Sequence, residues 1–303
     1  MIEVRRLRVL RALADHGTVT AAAEVLHLTP SAVSQQLAAL ESEVGQELLE
    51  RRGRRVAITS AGRLLLEHAD TILIEVERAE EAMRRHAEGS TGEIRVAAFS
   101  TAISLLVAPS LVSLRASTPG LRLVVRDVEG HQGITQLLDG EVELAIAVEH
   151  RGTPRADDER LTRIPLYAEP FVAVIPSTHP AADAQSVDLT ALSADDWVMT
   201  SIGNPLRDVV LLACEQAGFQ PRIVHTSDDF HSVAALVAAN AGVSLIPRLA
   251  VPTPSPAVIR PLTDPPPVRR VFAATRRGQA DNPLIAATLK TLAETAADLP
   301  LTS

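Results

Sequence analysis

The sequence predicts an α/β protein in three parts: a small helical unit at the N-terminus, one long helix, and a larger domain of alternating strands and helices. Three observations lead to this prediction. Apolar residues recur at helical spacing in the first 44 residues, an apolar stripe in steps of four and three follows over 60–87, and short apolar strands alternate with helical stretches from 94 onward. The 303 residues suffice for two or three domains.

The composition excludes several classes of protein. Hydrophobic residues make up 46% and charged residues 22%, which is typical of a globular chain. No apolar run approaches the ~20 residues that cross a bilayer, and residues 1–6 hold no apolar signal segment, so we expect a cytoplasmic protein with no membrane partner. One cysteine excludes an internal disulfide, and the nine histidines do not cluster, so we expect no metal and no cofactor.

The first 58 residues are predicted to form three short helices and a hairpin. Gly17 ends the first helix, Thr18 caps the second, and Thr29 caps the third, which has Pro30 at its first position. The predicted helices are Val4–His16, 19–26 and Pro30–Val44, and the strands are 48–50 and 55–58.

The third helix carries a face suited to a DNA major groove. Val33, Leu37 and Leu40 line its inner side, which leaves short or polar side chains on the outside. Gln35 can pair with an adenine edge, and the helix N-terminus favours a phosphate. A face that is merely solvated is the alternative. The predicted DNA-binding residues of this part are Thr20, Thr29, Pro30, Ser31, Ser34 and Gln35.

The hairpin carries four more predicted DNA-binding residues, Arg51, Arg52, Arg54 and Arg55. No acid lies between residues 51 and 63, and the hairpin follows a helix-turn-helix at winged-helix spacing, so contact with the phosphate backbone or the minor groove is favoured over a solvated charge run. The net charge is −8, and acids are spread through the rest of the chain, so DNA contact should be confined to this end.

A helix over Ser60–Ala87, roughly 40 Å long, is predicted to dimerise. A stripe so narrow suits a helical partner better than a globular core, although packing on its own domain stays the alternative. The stripe consists of Leu65, Ala69, Ile72, Val76, Ala79 and Met83. The opposite face carries charged residues, namely Glu67, Asp70, Glu77, Arg78, Glu81, Arg84 and Arg85.

Beyond residue 92 the βαβ pattern predicts a largely parallel sheet covered by helices. The proline-rich stretch 252–267 is predicted to be mostly loop. The predicted strands are 94–99, 121–128, 142–148, 171–175, 223–226, 243–246 and 268–275. The predicted helices are 102–117, 133–138, 206–217, 231–240 and 283–296.

The sequence contains no motif of enzyme catalysis. Gly-x-Ser-x-Gly, His-Glu-x-x-His, the phosphate-binding P-loop and Gly-x-Gly-x-x-Gly are all absent, so we expect no catalytic residues and no enzyme. Cys214 lies in an apolar helical stretch and is expected to be a buried thiol rather than a redox sensor.

Several segments resemble the LysR-type transcriptional regulators. They are residues 20–29, 31–37, 40–41, 48–51 and 59–62, and the layout of the whole chain, including 237–247, fits the same family. Two departures are Pro30, where members often have Gln, and Leu49, where they often have Phe. Because Pro30 removes a side chain that could contact bases, the operator preference of other members does not carry over.

The resemblance implies a two-lobed, periplasmic-binding-protein-like (type 2) effector domain, with the chain crossing near 163–166 and returning near 276–278. The domains would be 1–58, a winged helix-turn-helix DNA-binding domain; 59–89, the linker helix; 92–163 with 277–303, lobe I; and 164–276, lobe II. The implied partners are double-stranded promoter DNA, a small-molecule effector, and further copies of the chain, as a homodimer through the linker helix and a homotetramer on promoters.

The effector is expected in a cleft between the lobes, at the carboxyl ends of strands where helix N-termini direct their amides. Hydroxyls with little aromatic lining suit a small anion such as a carboxylate metabolite, although helix capping is the alternative role for Ser and Thr. The effector-binding candidates are Ser100, Thr101, His131, Gln132, Thr200, Ser201, Asn204, Phe230 and His231. Asp228 and Asp229 are expected to cap the helix that follows them.

The sequence therefore predicts a sequence-specific DNA-binding transcriptional regulator whose promoter binding is modulated by a small molecule. Two alternatives stay open. One is a solute-binding protein or enzyme with the N-terminal unit as an interaction module, and the other is an architectural DNA-binding protein without an effector.

Overall fold

Three helices and a hairpin form the N-terminal unit in the computed structural model, which describes residues 2–52, 55–87, 91–128, 132–155, 157–263 and 265–301, without the side chains of 51, 52, 55 and 85–87. The predicted caps are present: the hydroxyl of Thr18 accepts from the Ala21 amide at 3.1 Å, and that of Thr29 from the Ala32 amide at 3.2 Å. The bounds are α1 Val4–His16, α2 Val19–Val25, α3 Pro30–Val44, β1 Leu49–Arg52 and β2 Arg55–Ile58.

The long helix α4 (Ser60–Ala87) starts against this hairpin. The Thr59 hydroxyl donates to the Glu47 carbonyl at 2.8 Å and accepts from the Gly62 amide at 3.0 Å. A Cβ atom on Gly62 would lie 2.4 Å from the Leu48 carbonyl oxygen, so only glycine allows the helix to pass this close to the hairpin.

Helix α4 packs on its own chain with the start of the apolar stripe and, further along, with part of its charged face. Leu65 and Ala69, the first two stripe residues, join the core of the N-terminal unit. Further along, Ile72 is 40% exposed and Met83 is 67% exposed, so this part of the stripe faces away from the chain. The start of the stripe therefore packs on its own chain, and dimerisation through the remainder stays a prediction.

The charged face of α4 packs against the C-terminal domain through Glu77 and Glu81. Glu81 is buried, where its Oε1 accepts from Asn282 Nδ2 at 2.7 Å, and Glu77 Oε1 lies 3.3 Å from Arg276 Nε. The turn at 277–279 approaches so closely that a Cβ on Gly278 would lie 2.7 Å from the Ile74 carbonyl oxygen. Partners from the C-terminal domain thus compensate the burial of these carboxylates.

The C-terminal domain is built on a mixed sheet, not a largely parallel one. Among the described residues, seven strands pair in the order β10-β6-β11-β5-β3-β4, with β9 also on β6, and β7-β8 form a second ladder. The β3–β4, β3–β5 and β7–β8 pairs are parallel, whereas every pair that includes β6 or β11 is antiparallel. The strands are β3 Gly92–Ala98, β4 Leu121–Asp127, β5 Leu144–Val148, β6 Leu161–Ile175, β7 Asp196–Met199, β8 Arg222–Thr226, β9 Ser244–Pro247, β10 Val258–Pro261 and β11 Val268–Arg276.

Helices pack on both faces of the β3–β5 part of this sheet, and the predicted α/β class is confirmed. The helix after β3 widens to a π-helix at Ile103–Val107, before Pro109, whose missing N–H interrupts the regular pattern. The helices are α5 Ser100–Ala102, α6 Ala108–Ser117, α7 Gln132–Leu138, α8 Pro205–Gln216, α9 Phe230–Ala238 and α10 Pro283–Ala297. The stretch Ser100–Ser117 has the length and hydropathy of a membrane span, contrary to our expectation, but its Leu106 and Val107 belong to the core of the domain.

The two lobes share the long strand β6. Its first part, to Pro170, pairs with β11 beside β5, and its last part, Phe171–Ile175, pairs with β9 and β10. Strand pairing on β6 therefore changes between Pro170 and Phe171, and β11 begins opposite this point at Val268. The chain passes between the lobes on these two strands, which contain or adjoin the predicted crossings near 163–166 and 276–278. Pro165 lies beside a bulge of β6, where proline is tolerated within a strand.

Two further strands were not predicted. Strand β10 lies within the proline-rich stretch expected to be loop, where Val258–Pro261 pair with β6. Strand β7 is short, with Trp197 and Val198 fully buried. Below, lobe I denotes the part of the domain around β3, β4 and β5, and lobe II the part around β7, β8 and β9.

Candidate DNA-binding and effector sites

The outer face of α3 is free in the structure. Val33, Leu37 and Leu40 are buried inside the N-terminal unit, as predicted. The Ser34 hydroxyl donates to the Pro30 carbonyl at 2.9 Å, which leaves its lone pairs toward the surface. The predicted contact residues outside the hairpin are all exposed, namely Thr20, Thr29, Pro30, Ser31, Ser34 and Gln35.

The hairpin is fastened to the end of α3 by one carboxylate. Glu41 Oε1 accepts from the Leu48 amide at 2.8 Å and from the Leu49 amide at 3.0 Å. This places the hairpin beside the exposed face of α3. The predicted contacts of Arg51, Arg52 and Arg55 concern side chains outside the described residues, and Arg54 lies outside them altogether.

A cleft between the lobes collects four of the predicted effector residues. Ser100 and Thr101 line it from lobe I, at the carboxyl end of β3, and Asn204 and Phe230 line it from lobe II. Its free volume of about 20 Å³ holds little more than one water molecule. Helix capping is not the role of Ser100 or Thr101, since Phe99 occupies the N-cap position without a side-chain bond.

The bottom of the cleft is a buried ion pair that sequence reasoning missed. Arg269 on β11 lies directly opposite Glu169 on β6, and both side chains are 1% exposed. Arg269 Nε donates to Glu169 Oε1 at 2.9 Å, and its Nη1 donates to Thr101 Oγ1 at 3.0 Å. The pair sits where the chain crosses between the lobes, so it joins the crossing strands to a residue of the cleft.

Other groups complete the surroundings of this pair. Glu169 Oε2 accepts from the Leu249 amide at 2.6 Å, and the Arg269 guanidinium lies 5.4 Å from the centre of the Phe99 ring. Burial raises the pKa of Tyr167, 3.5 Å from Arg269, to about 12, so its hydroxyl stays neutral. The buried cation of Arg269 is thus balanced by the buried carboxylate of Glu169.

Asp228 belongs to the cleft, contrary to our expectation that it caps a helix. Its Oδ1 accepts from the Ser201 amide at 2.9 Å and from Asn204 Nδ2 at 3.0 Å. Asp229 has the predicted role, because its carboxylate accepts from the amides of His231 and Ser232 at the start of α9.

The other effector candidates among the described residues do not line the cleft. Thr200 is buried and its carbonyl accepts from Arg207, while Ser201 contributes only its backbone amide, to Asp228. Gln132 is exposed at the start of α7, and the side chain of His231 is exposed beside Asp229. His131 lies outside the described residues.

Aromatic residues at the cleft also differ from expectation. Two of the five phenylalanines of the chain, Phe99 and Phe230, line it, although the low aromatic content suggested little aromatic lining. Phe99 carried one signal in the sequence, since it directly follows the first strand of the domain. Arg269 carried no such signal, because no neighbouring residue in the sequence points to its partner Glu169, which is 100 residues away.

Comparison with known proteins assigns both parts of the chain. Residues 4–63 match the family described as bacterial regulatory helix-turn-helix protein, lysR family, and residues 87–297 match the LysR substrate binding domain. The chain belongs to the LysR family of transcriptional regulators. It is a DNA-binding regulator with an effector-binding domain, which confirms the fold and the function predicted from the sequence.

Two curated relatives of this LysR-type regulator are themselves regulators rather than enzymes. A "Hydrogen peroxide-inducible genes activator" of Dickeya chrysanthemi is 32% identical over 251 residues, covering 83% of this chain and 81% of the relative. "Transcriptional dual regulator GltC" of Bacillus subtilis is 29% identical over 248 residues, covering 82% and 81%.

Solved structures of full-length members show the same architecture. An H2O2-bound cysteine mutant of Corynebacterium glutamicum OxyR is 25% identical with a TM-score of 0.57, and covers 99% of this LysR-type regulator and 97% of that chain. Full-length CbnR complexed with its target DNA is 24% identical with a TM-score of 0.55, covering 97% and 100%, and shows likeness of fold.

Proposed function

We propose that this regulator binds double-stranded promoter DNA as a homodimer joined through α4, and that a small molecule in the cleft between the lobes changes this binding. The exposed outer face of α3 supports the DNA contact, with Gln35 as the base-reading residue and the arginines of the hairpin on phosphates. The exposed part of the apolar stripe supports the dimer. As an extension of the same proposal, dimers pair into tetramers on promoters, in the cytoplasm.

The effector is proposed to carry a hydrogen-bond acceptor that meets Thr101. The Thr101 oxygen accepts from Arg269, so its own hydrogen is available to donate into the cleft. A donor polarised by a neighbouring guanidinium favours an anionic acceptor, which supports a carboxylate. Phe99 and Phe230 offer apolar contact to the rest of the molecule.

The cleft must widen to admit such a molecule. Its present volume of about 20 Å³ holds about one water molecule, and a carboxylate with even a short carbon chain is larger. The structure therefore corresponds to a closed arrangement of the lobes. An effector shifts the regulator toward an open arrangement only by its difference in affinity for the two.

A sensor mechanism based on peroxide is not supported by the one thiol of the chain. Cys214 is fully buried in α8, and burial raises its pKa to about 12. Thiolate is the form that reacts with oxidants, and at neutral pH this thiol is almost wholly protonated. The likeness to peroxide-inducible activators therefore does not extend to oxidation of Cys214.

The proposal is tested by ligand binding to Thr101→Val. In calorimetric titrations of the full-length protein with acetate, succinate and benzoate, we expect at least one to bind, and the variant to bind it about tenfold or more weakly, because a charge-assisted hydrogen bond is lost. Thr71→Val, an exposed substitution on α4, is the matched control and should bind as the wild type does. Equal affinity of the wild type and Thr101→Val would contradict the role of Thr101, and binding of none of the three would contradict the carboxylate class.

A further inference from the structure

The end of helix α1 makes a polar contact with lobe I of the same chain. His16, the last residue of α1, lies with Nε2 3.0 Å from Asp139 Oδ1, just after α7. Its neighbour Asp15 accepts through Oδ1 from Arg160 Nη1 at 3.0 Å. These four residues, named here the α1 contact, join the DNA-binding unit to the effector domain directly rather than through the linker helix.

The α1 contact is more than a surface ion pair. All four side chains are at least about three-quarters buried. Burial opposes the charge of Arg160, but its hydrogen bonds to Asp158 and the charge of Asp15 outweigh this effect and raise its pKa, so it stays charged. Burial raises the pKa of Asp139, while the hydrogen bond from His16 opposes the shift. Partly desolvated pairs of this kind are worth more than exposed ones.

The linker helix takes part in the same cluster. Arg11 Nε donates to Asp15 Oδ2 at 3.0 Å, and Arg11 Nη1 donates to Asp70 Oδ2 on α4 at 3.3 Å. A cavity of about 90 Å³ is lined by the apolar residues Leu73, Ile74 and Leu138 and by charged ones. The charged residues are three cations and three carboxylates, namely Arg11, Arg160, Arg276, Asp15, Asp70 and Glu77. The cavity has room for several water molecules, so these charges can be rehydrated and the contact can open.

A continuous pair of strands connects the α1 contact to the cleft. Arg160 directly precedes β6, and its carbonyl accepts from the amide of Arg277, which directly follows β11, at 2.8 Å. From there the antiparallel β6–β11 pair runs to Glu169 and Arg269 at the bottom of the cleft, nine residues or roughly 30 Å from Arg160 along the chain. Each end of one rigid element thus carries an ion pair.

We propose that, through the α1 contact, lobe I holds the DNA-binding unit of its own chain in one orientation. The arrangement of the lobes around the cleft then determines the orientation of α3. This inference rests on the proposed function, because it assumes two DNA-binding units on two half-sites. In a dimer, fixing each unit against its own lobe I fixes the distance between the two α3 helices. Opening the contact frees each unit to turn about the start of α4.

The test is the dependence of DNA binding on the spacing of half-sites. An operator is first selected from random DNA with the wild-type protein, and the half-sites are then moved apart by one to five added base pairs. We expect the wild type to discriminate sharply between spacings. Asp15→Asn and Arg160→Gln should each reduce the ratio of affinities between the best and worst spacing by about fivefold or more, with affinity for a single half-site unchanged. The double variant should add little to either single change, because both remove one interaction.

Two controls separate the outcomes. Arg115→Gln, exposed on α6 of the same lobe, should discriminate between half-site spacings as the wild type does. Unchanged thermal unfolding of Asp15→Asn would show that its DNA-binding unit is intact. Wild-type discrimination by both variants would overturn the α1 contact while leaving the proposed function standing. A wild type without preference for two half-sites over one would instead overturn the proposed function.

Discussion

Glu169→Gln is expected to destabilise the effector domain by about 3–5 kcal/mol, the usual effect of removing one partner of a buried ion pair. The carboxylate accepts from Arg269 and from the Leu249 amide, and both partners would lose a charged acceptor inside the protein. The guanidinium of Arg269, 1% exposed, would be left buried without a counter-charge. Chemical unfolding followed by circular dichroism measures the change.

Two comparisons make this result specific to the pair. Lys290→Gln breaks an exposed pair with Glu294, at 3.8 Å, and should cost less than about 1 kcal/mol. The double variant Glu169→Gln with Arg269→Met removes both charges at similar volume and should recover part of the lost stability. A Glu169→Gln effect as small as that of Lys290→Gln would show that the pair does not hold the crossing strands together.

The second large effect is expected from a charge on the exposed stripe of α4. Ile72→Asp, with or without Met83→Asp, places a carboxylate where the helix of a second copy is proposed to pack, so the dimer should dissociate. When one unit of a dimer binds its half-site, the linked unit is held at a high effective concentration near the other half-site. Loss of the dimer should therefore lower the affinity for a two-half-site operator by about 10²–10⁴-fold. Sedimentation velocity and DNA titration measure the two consequences on one preparation.

Thr71→Asp provides the matched control, since Thr71 is exposed on α4 next to Ile72 but outside the stripe. It should remain dimeric and bind DNA as the wild type does. A dimer that survives both charges on the stripe would mean that the chains associate elsewhere, and the stripe would then need another partner.

Much of the local structure follows from the sequence because its signals are local. The predicted bounds of α1, α3 and α4 agree with the structure, since Gly17, the Thr29–Pro30 cap and the uninterrupted helical pattern of α4 each act within one turn. The exposed face of α3 follows from the same periodicity. These features depend on neighbours three or four residues away.

The crossing strands and the bottom of the cleft depend on distant partners instead. The course of β6 through Pro165 depends on its pairing with β11, against which Leu166 is the extra residue of a bulge. Arg269 looks like an ordinary charged residue of β11 until Glu169 and Thr101 are placed around it. The burial of Glu81 likewise depends on Asn282, 201 residues further along. No periodic pattern encodes pairings of this separation.

Selection of binding sites from random DNA by the wild type and by Gln35→Ala, at one salt concentration, tests most directly whether α3 reads base edges. We predict that the variant loses preference at one base pair in each half-site, by about 1–3 kcal/mol, and keeps its preferences elsewhere. Loss of affinity by the same factor for every sequence, or an unchanged selection, would contradict it.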